Sequence, residues 1–202
     1  MTRNASDAPT TPARSSKREA ILHEAAKLFA KHGYADTDVQ VVADRAKVGK
    51  GTVYRYFDDK KGLFLSVSEM VWRELHQCIL KRLADGRSAM DKIRLGVRAN
   101  FEFFQRHPHY IEIAMIERAT FHDTIEATQY SYRKSNIDGL HRVLEEAVRK
   151  GSLRRIDVRA VADLLCNLTY GTIVAHTLTG RHRELVRQTN LIMDMFLHGF
   201  GA

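Results

Sequence analysis

Cysteine, proline and long hydrophobic runs are all scarce in this chain of 202 residues, and each scarcity closes off a class of protein. Two cysteines, Cys78 and Cys166, are too few and too far apart for a disulfide framework or a zinc site, and they read as small buried hydrophobes. With only three prolines and 44% hydrophobic residues, the chain has the makings of one large or two small helical domains. No stretch nears the roughly 18 uninterrupted apolar residues of a membrane span, so no membrane partner is expected. Residues 1–15, with Thr, Ser, Ala and Pro but no apolar run, read as a flexible arm and not as an export signal, which implies a cytoplasmic location. Glu-x-x-His, the signature of di-metal helical bundles, is missing, and so are a phosphate-binding glycine loop and a nucleophile elbow. His107, His109 and His122 cluster without a carboxylate or thiolate frame, so neither a metal, a cofactor nor an enzyme activity is expected. No internal repeat of fixed period is visible.

What the chain does have is positive charge and a punctuated helical segment. The net charge is +8 and the pI about 9.6, which suits a polyanionic partner. Of 32 Lys and Arg against 24 Asp and Glu, 12 and 8 lie up to Gly62, so the excess is concentrated towards the N-terminus. There the segment Thr37 to Lys60 predicts two short helices around a tight turn. Thr37 serves as N-cap with Gln40 three residues on, as in a capping box, and Val39, Val42, Ala43 and Ala46 make one buried stripe. Gly49 and Gly51 then let the chain reverse. In the second helix, from about Gly51, Val53 and Phe57 face inward, while Lys50, Thr52, Tyr54, Arg55 and Tyr56 supply donors for phosphates and base edges. A turn of this length between two such helices is the helix-turn-helix spacing.

These residues also carry a resemblance. Lys17 to Thr37, KREAILHEAAKLFAKHGYADT, and Val41 to Phe64, VVADRAKVGKGTVYRYFDDKKGLF, resemble the N-terminal domain of the TetR family of transcriptional regulators. That family shows A-x-x-L-F-x-x-x-G-[YF] and then I-A-x-x-A-G-V-S-x-G-T-[LV]-Y-x-[YH]-F-x-[SND]-K-x-x-[LF]. The match covers about the first third of the chain. It implies DNA contacts from Gln40, Lys50, Gly51, Thr52, Tyr54, Arg55, Tyr56 and Lys60, with Lys60 gripping phosphate. The chain departs from the pattern at Lys47 for Gly, Gly49 for Ser and Val42 for Ile. Gly49 removes a capping hydroxyl, whereas Lys47 adds a cation at the same turn.

Elsewhere the punctuation continues. Ser16 and Glu19 make a second capping box, and Ala20, Ile21, Ala25, Leu28 and Phe29 form the stripe of a first helix ended by Gly33. A fourth helix, capped by Asp58 or Asp59, runs through Leu63, Phe64, Val67, Met70, Val71, Leu75 and Ile79 to about Ala84. Helices follow from Ser88 to about His107, from Tyr110 to about Ala119, and from near Asp123 to Arg149 with Gly151 as stop. Phe101, Phe104, Met115, Ile116, Phe121 and Tyr130 offer apolar walls, with His122, Glu117 and Arg133 as polar fixings, although simple core filling explains any one of them equally well. The family resemblance raises the pocket reading and implies a small-molecule effector there, at Phe101, Phe104, Met115, Phe121, His122 and Tyr130.

The last two amphipathic stretches carry Val161, Leu164, Leu165, Leu168, Thr172, Ala175 and Leu178, then Leu185, Val186, Ile192, Met193, Phe196 and Phe200. They have apolar surface to spare for a second copy. The resemblance implies a dimer interface, with Leu164, Leu168, Thr172, Ala175, Ile192 and Phe196 in it. The expected architecture is therefore all-α: a flexible arm at 1–15, a helix-turn-helix domain at 16–62, and an effector-binding and dimerisation domain at 63–202, with the fourth helix to about 84 as link. The expected function is a ligand-responsive repressor that binds a palindromic double-stranded DNA operator as a homodimer. A nonspecific architectural DNA binder is the alternative, and a helical-bundle metalloenzyme the weaker one.

Overall fold

A computed structural model of the chain describes residues 12–121 and 129–198, and these hold nine α-helices, one 3-10 segment and no strand. In order they are α1 (Pro12–Asp36), α2 (Val39–Arg45), α3 (Lys50–Phe57), α4 (Lys60–Leu83), α5 (Ala89–Arg106), α6 (Tyr110–Thr120), α7 (Gln129–Arg149), α8 (Val158–Leu178), the 3-10 segment His182–Arg187, and α9 (Gln188–His198). The chain divides into two compact units, Met1–Val67 and Ser68–Ala202. The division falls inside α4, just over a turn beyond the boundary expected at Gly62.

In the first unit, α1 buries Ile21, Leu22, Ala25, Ala26, Leu28 and Phe29. These adjacent pairs set a face that leaves Ala20, expected in the stripe, exposed. The helix already runs from Pro12, so Ser16 lies inside it and does not cap it; of the expected arm, residues 1–11 lie outside the described residues. At Gly33 the backbone leaves helical geometry, and Thr37 repairs the break: its Oγ1 donates to the Gly33 carbonyl at 2.6 Å. That use of Thr37 corrects its expected role as N-cap. Asp38 caps α2 instead, its Oδ1 accepting from the Gln40 amide N–H at 2.7 Å, and the Gln40 side chain turns to Asp44 at 2.8 Å. Phe29 meets Phe64 edge-on at 5.1 Å and stacks with Tyr34 at 6.0 Å, tying α1 to the start of α4.

The junction of α3 and α4 is unusually tight. Asp58 has φ 62° and ψ −57°, and the Asp59 N–H reaches the Phe57 carbonyl at 2.7 Å, which makes a γ-turn of the rarer, strained hand. Asp59 then caps α4 by accepting from the Gly62 N–H at 2.7 Å. A Cβ on Gly62 would stand 2.1 Å from the Phe57 carbonyl oxygen, so only glycine lets the first turn of α4 approach the end of α3 this closely.

In the second unit α5 is central, packing against α7, α8, α9 and the 3-10 segment. Ser88 caps it by accepting from the Asp91 N–H at 3.1 Å, and it ends before Pro108. Arg82 of α4 and Arg98 both bond Glu102 at 2.7 Å; partial burial pushes that carboxyl up, but the two guanidinium groups hold it below its usual range. The described part of α7 begins at Gln129, and the expected start at Asp123 lies outside the described residues. The last stretch does not form one helix as expected: His182–Arg187 is a 3-10 turn, whose Val186 N–H donates to Gln105 at 3.1 Å, and α9 follows. Phe200 lies outside the described residues.

Gly62→Ala should destabilise the first unit by roughly 1–3 kcal/mol, the usual cost of forced overpacking. Thermal denaturation against the parent chain checks it, and an unchanged melting point would refute the close approach.

Candidate nucleic-acid interface and ligand cavity

The turn between α2 and α3 is a Schellman motif built on the wrong residue. The Val48 N–H reaches the Ala43 carbonyl at 2.9 Å and the Lys47 N–H reaches Asp44 at 3.1 Å, which puts Lys47 in the left-handed position at φ 56°. The same motif ends α7 and α8, but there Gly151 and Gly180 hold that position at φ 73° and 69°. A side chain in this region costs roughly 1–2 kcal/mol relative to glycine's free access. The exposed Lys47 thus holds a strained site beside α3.

From that turn α3 starts at Lys50, with Gly49 as N-cap and no side-chain capping bond, as the missing hydroxyl predicts. Val53 and Phe57 are buried and fix the rotation of the helix, and Arg18 of α1 lies over the Phe57 ring at 5.3 Å. Rotation fixed in this way leaves Lys50, Gly51, Tyr54 and Arg55 exposed, with Thr52 and Tyr56 half-buried. Gln40 is exposed on α2. Lys60 is engaged within the unit: its Nζ donates to the Ala35 carbonyl at 2.7 Å and sits 5.1 Å from the centre of the Tyr34 ring. This lysine therefore braces α4 against the end of α1.

The second unit contains a cavity of about 600 Å³ lined from α4, α5, α7 and α8, with Arg118 of α6 also on its wall. Its walls are mainly apolar, among them Trp72, Leu75, Ile79, Val97, Phe104 and Ile173, a size and character suited to a small ligand. His76 of α4 and Asn136 of α7 meet across it at 2.7 Å. Among the described residues expected to bind effector, Phe104 alone lines this cavity. Phe101 is fully buried as core, and neither Met115 nor the buried Phe121 is on the wall. His122 and the side chains of Tyr130 and Arg133 lie outside the described residues. Of the phenylalanines expected there, Phe101 and Phe121 are buried away from the cavity and Phe104 borders it. Half-apolar residues such as His76 and Asn136 border the open space, and in sequence they look like ordinary surface.

Glu117, expected inside the pocket, is buried beside it at 1% exposure. Its Oε2 accepts from both the Ser68 hydroxyl and the Trp72 indole N–H, the latter at 3.3 Å, so α6 grips two successive turns of α4. Burial raises this carboxyl above its ordinary range, against the two hydrogen bonds, which lower it.

Helix α8 has two unlike faces. Ala162, Leu165, Thr169 and Ile173 are buried, whereas Leu164, Leu168 and Leu178 are 66%, 41% and 64% exposed and Ala175 is exposed alongside them. Thr172 is half-buried. On α9, Ile192 turns into its own chain at 3% exposure, which corrects its expected interface role; Leu191 is 55% exposed and Phe196 half-buried. By length and mean hydropathy, 1.2, α8 is apolar enough to cross a membrane, although polar residues interrupt its apolar run.

Comparison with known proteins decides what these features belong to. Residues 21–67 match the family model for bacterial regulatory proteins of the tetR family, and residues 90–186 match that for the tetracyclin repressor-like C-terminal domain. The chain belongs to the TetR family. It is a DNA-binding transcriptional regulator and not an enzyme. A fatty acid metabolism regulator protein of Bacillus subtilis is 19% identical over 180 residues, covering 89% of this chain and 93% of that one. The regulator QacR of Staphylococcus aureus is 26% identical, covering 90% and 97%. Among solved structures, FadR of Bacillus subtilis in complex with stearoyl-CoA superimposes with a TM-score of 0.81 at 18% identity, covering 91% of this chain and 99% of that one. Within the TetR fold, α2 and α3 are the helix-turn-helix and α4 begins the passage to the C-terminal domain.

Two outcomes follow from this geometry. Lys47→Gly relieves about 1–2 kcal/mol of backbone strain but frees the unfolded chain by about 0.4–1, so it should stabilise the first unit by roughly 0.5–1 kcal/mol in denaturant titration. For Glu117, a raised carboxyl contributes stability that is whole below about pH 4.5 and lost as pH climbs through its folded-state value. Glu117→Gln, whose single oxygen can accept both bonds, should therefore gain stability relative to the parent at pH 7 compared with pH 4. Urea unfolding at the two pH values, with an equal difference at both, would refute the buried-charge assignment.

Proposed function

We propose that this TetR-family regulator is a cytoplasmic homodimeric repressor that binds a palindromic operator through α3 and releases it when a small, largely apolar effector fills the α4–α5–α7–α8 cavity. The observation that carries the reading is the coexistence, in one chain, of a donor-bearing helix of fixed rotation and a mostly apolar cavity whose wall includes α4. Lys50, Gly51, Thr52, Tyr54, Arg55, Tyr56 and Gln40 are the DNA contacts in this reading, with Tyr hydroxyls and Lys50 on phosphates and Thr52 towards base edges. Lys60 grips phosphate in the same reading: its ammonium group gives one N–H to the Ala35 carbonyl, which braces α4, and has two further donors.

The outward leucines of α8, with Ala175 and Leu191, would be covered by the same surface of a second copy around a two-fold axis. That use also accounts for α8's hydropathy without a membrane. A two-fold dimer presents two α3 helices, which can enter successive major grooves when separated by roughly 34–36 Å, hence a palindromic site. Support for an apolar effector comes from the cavity walls and from the acyl chain of the stearoyl-CoA in the structural relative. The effector must bind the DNA-incompetent arrangement more tightly than the competent one to release the operator.

The test is selection of duplexes from a random pool by the full-length protein, followed by fluorescence anisotropy on the winner. A palindrome bound at least about a thousandfold more tightly than scrambled duplex is expected, whereas equal affinities would favour the architectural alternative. On that palindrome Tyr54→Phe should lose about 0.5–1.5 kcal/mol, and Lys50→Ala should flatten the logarithmic salt dependence by about one unit.

A further inference from the structure

The charged residues on the cavity wall are of one sign. Among the described lining residues are Lys92, Arg118 and Arg142, and no Asp or Glu. None of these three side chains makes a hydrogen bond or ion pair with another described residue. They are also not scattered evenly. The cavity follows α4 from Trp72 to Leu83, about 16 Å of helix axis at 1.5 Å per residue. Leu83 lies 3.6 Å from where Gly96 would carry a Cβ, and the Lys92 stem lies against Gly86, which sets Lys92 at the Leu83 end. Glu146 is held below its ordinary range first by its 2.6 Å bond from Lys150 and also by nearby Lys92, so the C-terminal part of α7 comes to that same end. Arg142 lies one turn before Glu146 on α7. Arg118 belongs to a different helix, α6, and follows the Glu117 that bonds Trp72.

We infer that this cavity selects anionic amphiphiles, with the acidic head at the Lys92–Arg142 end and the apolar body lying along α4 towards Trp72. The inference rests on the ligand-binding reading above and adds the sign of the ligand's charge to it. A head group taken partly out of water loses hydration, and only an opposite charge offsets that loss. An anion meets two cations there, and the nearby Glu146 has its own close partner in Lys150. A cation meets the same two as repulsion, with no carboxylate on the described wall to compensate it. A neutral head gains neither, and binds through its chain alone.

The single tryptophan, Trp72, lines the cavity, so its emission reports filling without a label. Full-length protein is titrated below the micelle threshold with hexadecanoate, hexadecanol and hexadecyltrimethylammonium, three molecules of one chain length and three charges. Hexadecanoate should bind at least about tenfold more tightly than the ammonium compound. Lys92→Glu with Arg142→Glu should invert that order, and the milder Lys92→Gln with Arg142→Gln should narrow the gap, which keeps the test intact if the charge reversal fails to fold. Equal or tighter binding of the ammonium compound, or a preference unmoved by the folded variants, overturns the anion selection while leaving an apolar effector site standing. If none of the three changes Trp72 emission, the ligand-binding reading falls with it.

Discussion

Everything the first unit does depends on an eight-residue helix that cannot hold its own shape. A helix as short as α3 is unstable in isolation, because nucleation costs more than so few hydrogen bonds return. Its conformation must come from its neighbours. Two side chains, Val53 and Phe57, anchor it from within, the Schellman turn around Lys47 fixes where it starts, and the γ-turn at Asp58 with the bare α-carbon of Gly62 fixes where it stops. Two residues outside glycine, Lys47 and Asp58, take left-handed or strained backbone to achieve this, one at each end of the helix. Strain at both borders of a surface helix is what a scaffold accepts when the helix's exposed side, and not its contribution to stability, is what matters.

Much of this was legible in the sequence because helix borders are written in local chemistry. Asp59, one of the two residues expected to cap α4, does so; Ser88, where α5 was expected to begin, caps that helix; and Gly151 stops α7. The positions anticipated as the inner face of α4, from Leu63 to Ile79, are all buried. Local reading failed by one residue at α2, where Thr37 and Asp38 are both competent caps. The choice between them was made by a carbonyl left open at Gly33, which no window around α2 contains. The 3-10 turn before α9 escaped for a related reason: an amphipathic stripe at three- and four-residue spacing suits both helix types, and the deciding contact, Gln105 to Val186, spans most of the second unit's sequence.

The cavity was the least legible feature, and the reason is physical. Periodicity counts apolar positions but carries no record of whether the space they face is filled. Phe101 and Phe104 lie three residues apart on α5 with equal claim to a pocket, yet one is sealed in the core and the other borders open volume. The same ambiguity separates Leu191 from Ile192 on α9. Both are apolar, and only the packing of the 3-10 segment and α5 against α9 decides which of them the chain itself buries.

The grip of Glu117 on α4 bears on how a filled cavity could be felt. One carboxylate oxygen accepts from both Ser68 and Trp72, so the two donors are not independent: a displacement that draws the indole away also redistributes the hold on Ser68, one turn nearer the start of α4. Trp72 is at once a wall of the cavity and a partner in that bond, whereas Ser68 is fully buried and touches no ligand space. A neutral, protonated Glu117 would keep both donors on Oε2 and remove the uncompensated charge, which is the state burial favours. The polar contact therefore works as a register mark for α4 more than as a source of stability. In an otherwise apolar interface many rotations of a helix bury similar area, and a single oxygen shared by two donors admits only one of them.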